Sequence, residues 1–490
     1  MFEAVELDRK VSKETFKSKV PELRTELLEL QGMLADAELP VIIIVSGVEG
    51  AGKSEVVNRL NEWLDTRNLE THAFWDETDE ERERPYFWRF WRRLPARGKI
   101  GILFGSWYTQ PIVDNVFEKI SDSELDVHLN HIDEFEQMLS CDGVLIIKFW
   151  FHLDKTSQMQ RIEKKIKNSK RKKSFIKFAK HYDGFVRTSA RAIRMTDSGH
   201  SPWYLVEAKD KRYRDLTTAT TLISAIRQKL ATVADRRHRS FVHETLAPEE
   251  DSARVTILDH LDVEQSLPVS DYKQQLHDYQ ARLHELTWEA RYKGLSCINV
   301  FEGWDAAGKG GVIRRITGAT DARLYRVISI AAPTDEELAH HYLWRFWRQI
   351  PRSGYMTIYD RSWYGRVLVE RVEGFARQDE WGRAYQELNN FEERLVDRGI
   401  IINKFWLHIS QDEQLRRFKE RENVPWKQYK ITDEDWRNRE RWDDYKMAVN
   451  DMVARTSTAD APWHLVPAND KRLARIQALK TVCEQYEKRL

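Results

Sequence analysis

The strongest constraint on this chain is that it repeats itself. WRFWRRLP at Trp88–Pro95 returns as WRFWRQIP at Trp344–Pro351. KFWFHLD at Lys148–Asp154 returns as KFWLHIS at Lys404–Ser410, and GSWY at Gly105–Tyr108 returns as RSWY at Arg361–Tyr364. Each pair lies 256 positions apart. SPWYLVEAKDKR from Ser201 returns as APWHLVPANDKR from Ala461, 260 positions on, so the second copy holds four extra residues after about Asp154. A register held over so long a stretch means duplication of a whole domain, and the period is far too long for a solenoid. A chain of 490 residues has room for two such domains.

Both copies share one layout. A helix with apolar residues at helical spacing comes first (Leu23, Leu27, Leu30; Tyr279, Leu283, Leu286). An apolar strand follows (VIIIVSG; SCINVFEG), then a glycine loop, then a helix. In the second copy YRVISIAAPT, a helix carrying WRFWR, and the strands YMTIYD and GIIINKFWLHIS come next. Alternating strands and helices with continuous apolar strands predict an α/β fold. Each copy is expected to hold a mostly parallel sheet with helices on both faces. The expected boundaries are 1–235 for the first copy and 271–490 for the second. The stretch 236–270 is polar, lacks a repeat partner, contains APEEDS and LPVSD, and is assigned as the linker.

Composition excludes several classes. Lys and Arg number 79 against 78 Asp and Glu, a net charge of +1, which rules out a globally basic nucleic-acid binder but not a local basic groove. The opening MFEAVELDRKVSKETF lacks the apolar stretch of a secretory signal, and the run PVIIIVSG is too short to span a bilayer. Cys141, Cys297 and Cys483 are scattered, with no zinc or disulfide spacing, and suit a reduced cytoplasm. The abundant Trp residues, Trp344 and Trp347 among them, are expected in the core. His128, His131, His340 and His341 have no metal-binding company in the sequence and are read as packing or surface groups.

The glycine loops carry the chemistry. Gly47–Glu55 reads GVEGAGKSE and Gly303–Gly311 reads GWDAAGKGG. A strand ending in such a loop and opening a helix cradles phosphate. Backbone N–H groups turn inward, the helix N-terminus adds positive potential, and the lysine reaches the outer phosphates. The first loop ends in Ser54, a hydroxyl suited to Mg²⁺, where the second has Gly310. The second holds Asp305 where the first has Glu49. A carboxylate in a phosphate loop would repel its ligand unless a divalent cation lay between, so Asp305 is a candidate metal ligand. Asp360 ends YMTIYD, at the edge where open α/β sheets place their chemistry, and is the second carboxylate for Mg²⁺. Arg361 and Arg366 flank it, suited to phosphoryl oxygens. In the first copy these three positions are Phe104, Gly105 and Gln110. The working site is therefore expected in the second copy, with Gly303, Gly308, Lys309, Gly310 and Gly311 around the phosphates.

GWDAAGKGG, YDRSWYGR, KFWLHIS and APWHLVPANDKR, in this order, resemble the polyphosphate kinase 2 family, in particular its two-domain, AMP-phosphorylating branch. The match covers nearly all of the second copy and, weakened, the first. The resemblance implies a P-loop kinase core with a mobile helical lid and Mg²⁺-dependent phosphoryl transfer from inorganic polyphosphate to AMP, giving ADP. It implies roles for Asp305, Lys309, Asp360, Arg361 and Arg366. The lid would follow His408, in SQDEQLRRFKERENVPWKQYK, with Arg416, Arg417 and Lys419 holding the polyanion and Arg421 the preferred cation for the transferring group. A solvated helix face laced with Glu is the alternative for that stretch. WDDYKMAVNDM from Trp442 and Asp470–Arg472 also match the family, the former read as helix packing. Glu370 is a candidate to approach the base.

An AMP phosphate is already ionised at neutral pH, so alignment and charge stabilisation suffice and no catalytic histidine is required. The first copy keeps Lys53 and carries the basic run IEKKIKNSKRKKSFIKFAK, including Lys170, Arg171, Lys172 and Lys173. It is read either as a docking stripe for distal polyphosphate or as a structural partner replacing the second subunit of a homodimer. The rival functions are an ATP-dependent nucleoside monophosphate kinase and a non-catalytic polyanion-binding scaffold. No nucleic acid or membrane partner is expected.

Overall fold

Val41–Val45 and Cys297–Phe301 are almost wholly shielded from solvent, as apolar runs must be when both faces of a parallel sheet are covered. Each run is the middle of a five-stranded sheet in a computed structural model that describes residues 1–167, 180–239, 256–424 and 433–490. The first sheet comprises β1 (Val41–Gly47), β2 (Leu69–Ala73), β3 (Ile100–Phe104), β4 (Leu145–His152) and β5 (Trp203–Glu207), ordered β2-β3-β1-β4-β5. The second comprises β6 (Cys297–Gly303), β7 (Tyr325–Ser329), β8 (Met356–Asp360), β9 (Ile401–His408) and β10 (Trp463–Pro467), ordered β7-β8-β6-β9-β10. All strand pairings are parallel. The chain leaves β6 toward the β7 edge and leaves β9 toward the β10 edge. A crevice therefore opens at the carboxyl ends of β6 and β9, where ligands bind in open sheets.

The recurring motifs meet in the core. Lys404 Nζ donates to Glu392 Oε2 at 2.7 Å, to the Thr456 carbonyl at 2.6 Å and to the Tyr364 hydroxyl at 3.0 Å. Trp363 Nε1 and the Tyr364 hydroxyl donate to Glu392 Oε1 at 3.0 and 2.7 Å, and Tyr364 packs edge-on against Trp463. The same set recurs around Glu136, where Lys148, Trp107 and Tyr108 converge and Tyr108 packs on Trp203. Every member is buried, and a buried ion pair persists only when its remaining bonds are satisfied, as they are here. The SWY, KFW and PW motifs thus build the fold in both copies.

Two expectations are corrected. The WRFWR segment is only one helical turn, Trp344–Trp347, although Trp344, Phe346 and Trp347 are buried as expected. YRVIS forms β7, but Val327 is 39% exposed because β7 is an edge strand with β8 as its one neighbour.

The structure divides into two compact units that interleave in sequence. One takes Met1–Glu77, Arg89–Ala247 and Asp335–His341; the other takes Thr78–Trp88, Pro248–Thr334 and Tyr342–Leu490. The end of the stretch assigned as linker is ordered. A 3₁₀ turn, Ile257–His260, buries Leu258, and the Leu267 N–H donates to Asp470 Oδ2 at 3.0 Å. The first unit opens the same way, with the turn Phe2–Val5 and the Val11 N–H on Asp210 Oδ1 at 3.4 Å. Residues 240–255 of the linker lie outside the described residues. Among the described residues no helix is long and apolar enough to cross a membrane.

Candidate active site

The phosphate loop leaves β6 at Gly303, whose φ of 148° and tight approach to β9 admit no side chain. A Cβ there would lie 2.6 Å from the Leu407 carbonyl oxygen. Gly308, at φ 111°, caps the helix Lys309–Thr317. Gly310 and Gly311 open its first turn, which leaves the helix N-terminus bare. Lys309 Nζ folds back onto the Gly303 and Trp304 carbonyls at 2.6 and 3.4 Å. Lys53 does the same with Gly47 and Val48 at 2.7 and 3.2 Å. The lysine alone therefore does not tell the copies apart.

The charges at the strand ends do. Arg361 Nη2 lies 3.2 Å from Asp305 Oδ1. Burial lowers the Arg361 pKa, but Asp305, Glu302, Glu434 and Asp360 outweigh it and the net shift is upward. The guanidinium thus sits in acidic surroundings with Asp305 in contact, and a hard divalent cation would suit them. Asp360 ends β8, and among the described residues no ion pair engages its carboxylate. Arg361 sits at φ 64°, a left-handed conformation costly for any residue with a Cβ. Arg366 pairs with Glu370 at 3.1 Å and lies over the Tyr342 ring at 4.4 Å. Glu370 therefore holds Arg366, and burial raises its pKa despite that partner.

The lid candidates divide into two roles. Arg417, on the helix Gln411–Asn423, is buried with all five N–H donors engaged. Nε meets Glu413 at 2.6 Å, Nη1 the Ala306 and Ala307 carbonyls, and Nη2 the Ala468 and Asn469 carbonyls. Its place is that of a brace for the loop. Its twin Arg161 does the same for Gly50, Ala208 and Lys209. Arg416 is largely exposed on a bidentate pair with Glu413, Lys419 is exposed, and Arg421 lies in the last turn of the helix. A cleft of about 520 Å³ runs behind the loop, lined by Arg416, Arg417, Lys471, Arg472 and Arg475 with Glu264. Burial, with Arg417 and Arg416 alongside, holds Lys471 below the usual lysine range although Glu420 and Glu413 pull the other way.

Sequence reasoning missed three groups. Glu302, the last side chain of β6, is buried and accepts from the Ser362 hydroxyl at 2.8 Å. Asn438 Nδ2 donates to Asp305 Oδ2 at 3.0 Å. Glu373 gathers Arg437 at 3.1 Å and Arg441 at 3.7 Å. Subtracting one copy from the other would have found each, because the matching positions are Ser46, Phe178 and Phe117.

The first copy has closed its loop from within. Arg214 stands where the second copy has Ala474, and its guanidinium lies against Gly52. It donates to the Ala51 carbonyl at 3.2 Å, to Glu55 at 3.2 Å and to Asp215 at 2.9 Å. Glu55 and Asp215 replace Gly311 and Arg475, so the cleft's counterpart gains two carboxylates and loses a cation. Lys170, Arg171, Lys172 and Lys173 lie outside the described residues.

A strand–loop–helix phosphate cradle, two strand-end carboxylates and a ring of arginines on a parallel sheet define a P-loop phosphotransferase. The polyphosphate kinase 2 family profile matches residues 10–233 and again 266–490. The chain belongs to that family, as a tandem pair of its domains. It is 48% identical to the polyphosphate:AMP phosphotransferase of Pseudomonas aeruginosa over 99% of both chains. It is 45% identical to the enzyme of that name from Pseudomonas syringae pv. tomato, over 100% of this chain and 98% of the relative. The crystal structure of a polyphosphate kinase 2 from Pseudomonas aeruginosa PA01 superposes with a TM-score of 0.89, covering 100% of this chain and 99% of that one.

Proposed function

We propose that this chain transfers the terminal phosphoryl group of inorganic polyphosphate to AMP, forming ADP, at the carboxyl edge of the second sheet. The observation that carries this is the asymmetry between copies. Asp305, Asp360, Arg361 and Arg366 occur only in the second, on a fold both retain, and the counterpart of the cleft in the first carries Glu55 and Asp215. Asp305 and Asp360 would hold Mg²⁺, and the acidic surroundings of Arg361 fit a divalent cation. Bound there, the ion would neutralise charge on the phosphates. Lys309 and the bare helix N-terminus hold the donor's terminal phosphates. The cleft takes the rest of the polyanion, and Arg361 and Arg366 grip the phosphoryl groups being joined. Arg416, Lys419 and Arg421 supply lid charge, with Arg417 as the brace behind them. The three cysteines are free, consistent with a cytoplasmic protein. We assign the substrate as inorganic polyphosphate rather than nucleic acid, since among the described residues none of the side chains that line the cleft is aromatic.

The test is to supply Mg²⁺, AMP and polyphosphate and to follow ADP, with ATP as donor in a parallel reaction. ADP from polyphosphate alone is expected. ADP only with ATP would replace this reading with a nucleoside monophosphate kinase, and no ADP from either would leave the scaffold. Lys309→Ala and Asp360→Asn are expected to lower turnover by two to three orders of magnitude, roughly 3–4 kcal/mol of lost stabilisation. Lys53→Ala is expected to leave it unchanged. Near-full turnover in Lys309→Ala would overturn the site.

A further inference from the structure

Features kept in both copies serve the fold, and features confined to the second track its chemistry. One constellation outside the residues already assigned belongs to the second class. It sits at the base of the lid, on the helices Asp433–Glu440 and Trp442–Thr456.

Asn438 donates through Nδ2 to Asp305 Oδ2 at 3.0 Å, while Arg361 approaches the other oxygen at 3.2 Å. The Tyr445 hydroxyl lies 3.2 Å from Asn438 Oδ1 and so fixes which end of the amide faces Asp305. Gln414 Nε2 holds the Asp305 carbonyl at 3.2 Å, and Arg439 ties that glutamine to the same helix as Asn438 at 3.1 Å. One residue upstream of Asp305, the Trp304 ring lies flat on the Trp442 ring, 3.7 Å between centroids and 8° between planes. The far side of Trp304 is anchored too. Its Nε1 and that of Trp406 both donate to His408 Nδ1, at 3.2 and 3.3 Å. Nδ1 accepts two bonds, so this ring is neutral. Burial, with Lys446 nearby, holds its pKa at about 4.

Among the described residues the first copy shows none of this. Val48, Phe178 and Tyr182 replace Trp304, Asn438 and Trp442. The Tyr182 hydroxyl turns to the Leu153 carbonyl at 2.7 Å, and His152 turns to Glu6 at 2.8 Å. A plain packing role would have been retained along with the Glu136 and Glu392 networks.

We propose that Asn438 and Trp442 are positioning residues for the phosphate loop, Asn438 fixing the Asp305 carboxylate for a divalent cation and Trp442 seating Asn438's helix against Trp304. The chemistry suits an amide. A neutral donor sets the direction of a carboxylate without cancelling its charge, and the oxygen it binds keeps a second lone pair for the ion. With Arg361 already on Oδ1, a second arginine in place of Asn438 would occupy both oxygens with cations and compete with the metal. The stacked indoles give the lid base a rigid, non-ionic seat on the loop, so the carboxylate is correctly set only when the lid base is in place.

This inference rests on Asp305 as a metal ligand, and the experiment separates the two. Mn²⁺ alone is titrated into the full-length chain and followed by electron paramagnetic resonance. The same set of variants is assayed for the Mg²⁺ concentration giving half-maximal transfer and for the AMP KM. Asp305→Asn is expected to abolish tight Mn²⁺ binding; retained binding would remove Asp305 as a ligand and the inference with it. Asn438→Ala is expected to weaken Mn²⁺ binding about tenfold, to raise the Mg²⁺ requirement by a similar factor, and to leave the AMP KM unchanged. Trp442→Ala is expected to do the same and Trp442→Phe to restore most of the loss, with thermal melts showing that each variant is folded. Parent-like Mn²⁺ binding by folded Asn438→Ala, in an enzyme whose Asp305→Asn variant has lost it, would overturn the positioning role and leave the function intact.

Discussion

Arg361 occupies a left-handed backbone position, φ 64°, and its counterpart Gly105 has φ 75°. The second copy tolerates strain of about 1–2 kcal/mol to put a guanidinium beside Asp305, and the first copy has neither the strain nor the charge. The exchange is not reversible, because a Cβ on Gly105 would meet the Phe74 carbonyl oxygen at 2.6 Å. Arg361→Gly should therefore change stability by no more than about 1 kcal/mol while lowering turnover about a hundredfold. Gly105→Arg should cost about 2 kcal/mol and leave turnover alone. Paired denaturant melts and rates decide both. Glu302 makes a second point. Burial raises its pKa although Lys309, Ser362 and Arg361 lower it. A carboxyl whose folded pKa exceeds its unfolded pKa contributes most at low pH, and that contribution is lost as pH rises through the folded value. Glu302→Gln should thus gain stability over the parent as pH rises above the ordinary carboxyl range, and the gain should level off once pH passes the folded pKa, because the amide keeps the Ser362 bond without the buried charge. A stability difference independent of pH would mean that Glu302 stays ionised throughout. Asp305 and Asp360 were legible in the sequence because a motif and a strand end mark them. Glu302 and Asn438 were not, since nothing in their local pattern separates them from strand or lid surface, and the motif that opens with Trp442 was read as helix packing.

At the scale of elements, the phosphate loop shows how one backbone serves two ends. Both loops have a positive-φ glycine leaving the strand, a lysine folded on its own carbonyls and an arginine brace. What differs is the occupant of the helix N-terminus. In the second copy Gly310 and Gly311 place no side chain there. In the first copy the buried Arg214 bridges the loop to Glu55 and Asp215. Replacing it strands Asp215, which is 5% exposed and keeps only Arg59 at 3.4 Å. Arg214→Ala should destabilise the chain by about 3 kcal/mol. Turnover measured well below the melt should stay at the parent value. A rate that fell with no loss of stability would show that the silent loop takes part in the chemistry. The strands, both loops and the first helices were legible because apolar runs and glycine spacing are local signals. The edge exposure of β7 and the one-turn WRFWR segment were not, because strand order and chain path decide them.

The duplication was legible at the scale of the whole molecule from three motif pairs at one offset, and it carried the fold class with it. The partition of segments was not. Thr78–Trp88 and Thr334–Trp344 are repeat partners, and two similar segments with two similar acceptors give a sequence no reason to assign either. The structure counts Thr78–Trp88 within the unit that holds Asp305, Lys309 and Asp360. Within that unit Arg352 forms a bidentate pair with Glu83 at 2.5 and 2.9 Å, Arg84 Nε reaches the Ile350 carbonyl at 3.2 Å, and Arg394 lies over the Phe87 ring at 5.0 Å. Phe87 is 5% exposed, so deleting its ring leaves a cavity beside a buried guanidinium. A loss of about 3 kcal/mol is the ordinary consequence. For a unit of this size that corresponds to a fall of roughly 6–12 °C in melting temperature. The effect should appear in the activity itself: Phe87→Ala should inactivate at a temperature lower by that margin, although the residue belongs in sequence to the first repeat and the proposed site to the second. At temperatures where the variant is folded its turnover should equal the parent's. Activity that outlasts heating as well as the parent's, in a variant whose overall melt has fallen, would show that Phe87 supports only the silent unit. The working domain would then be a contiguous piece of chain, as the sequence alone suggests.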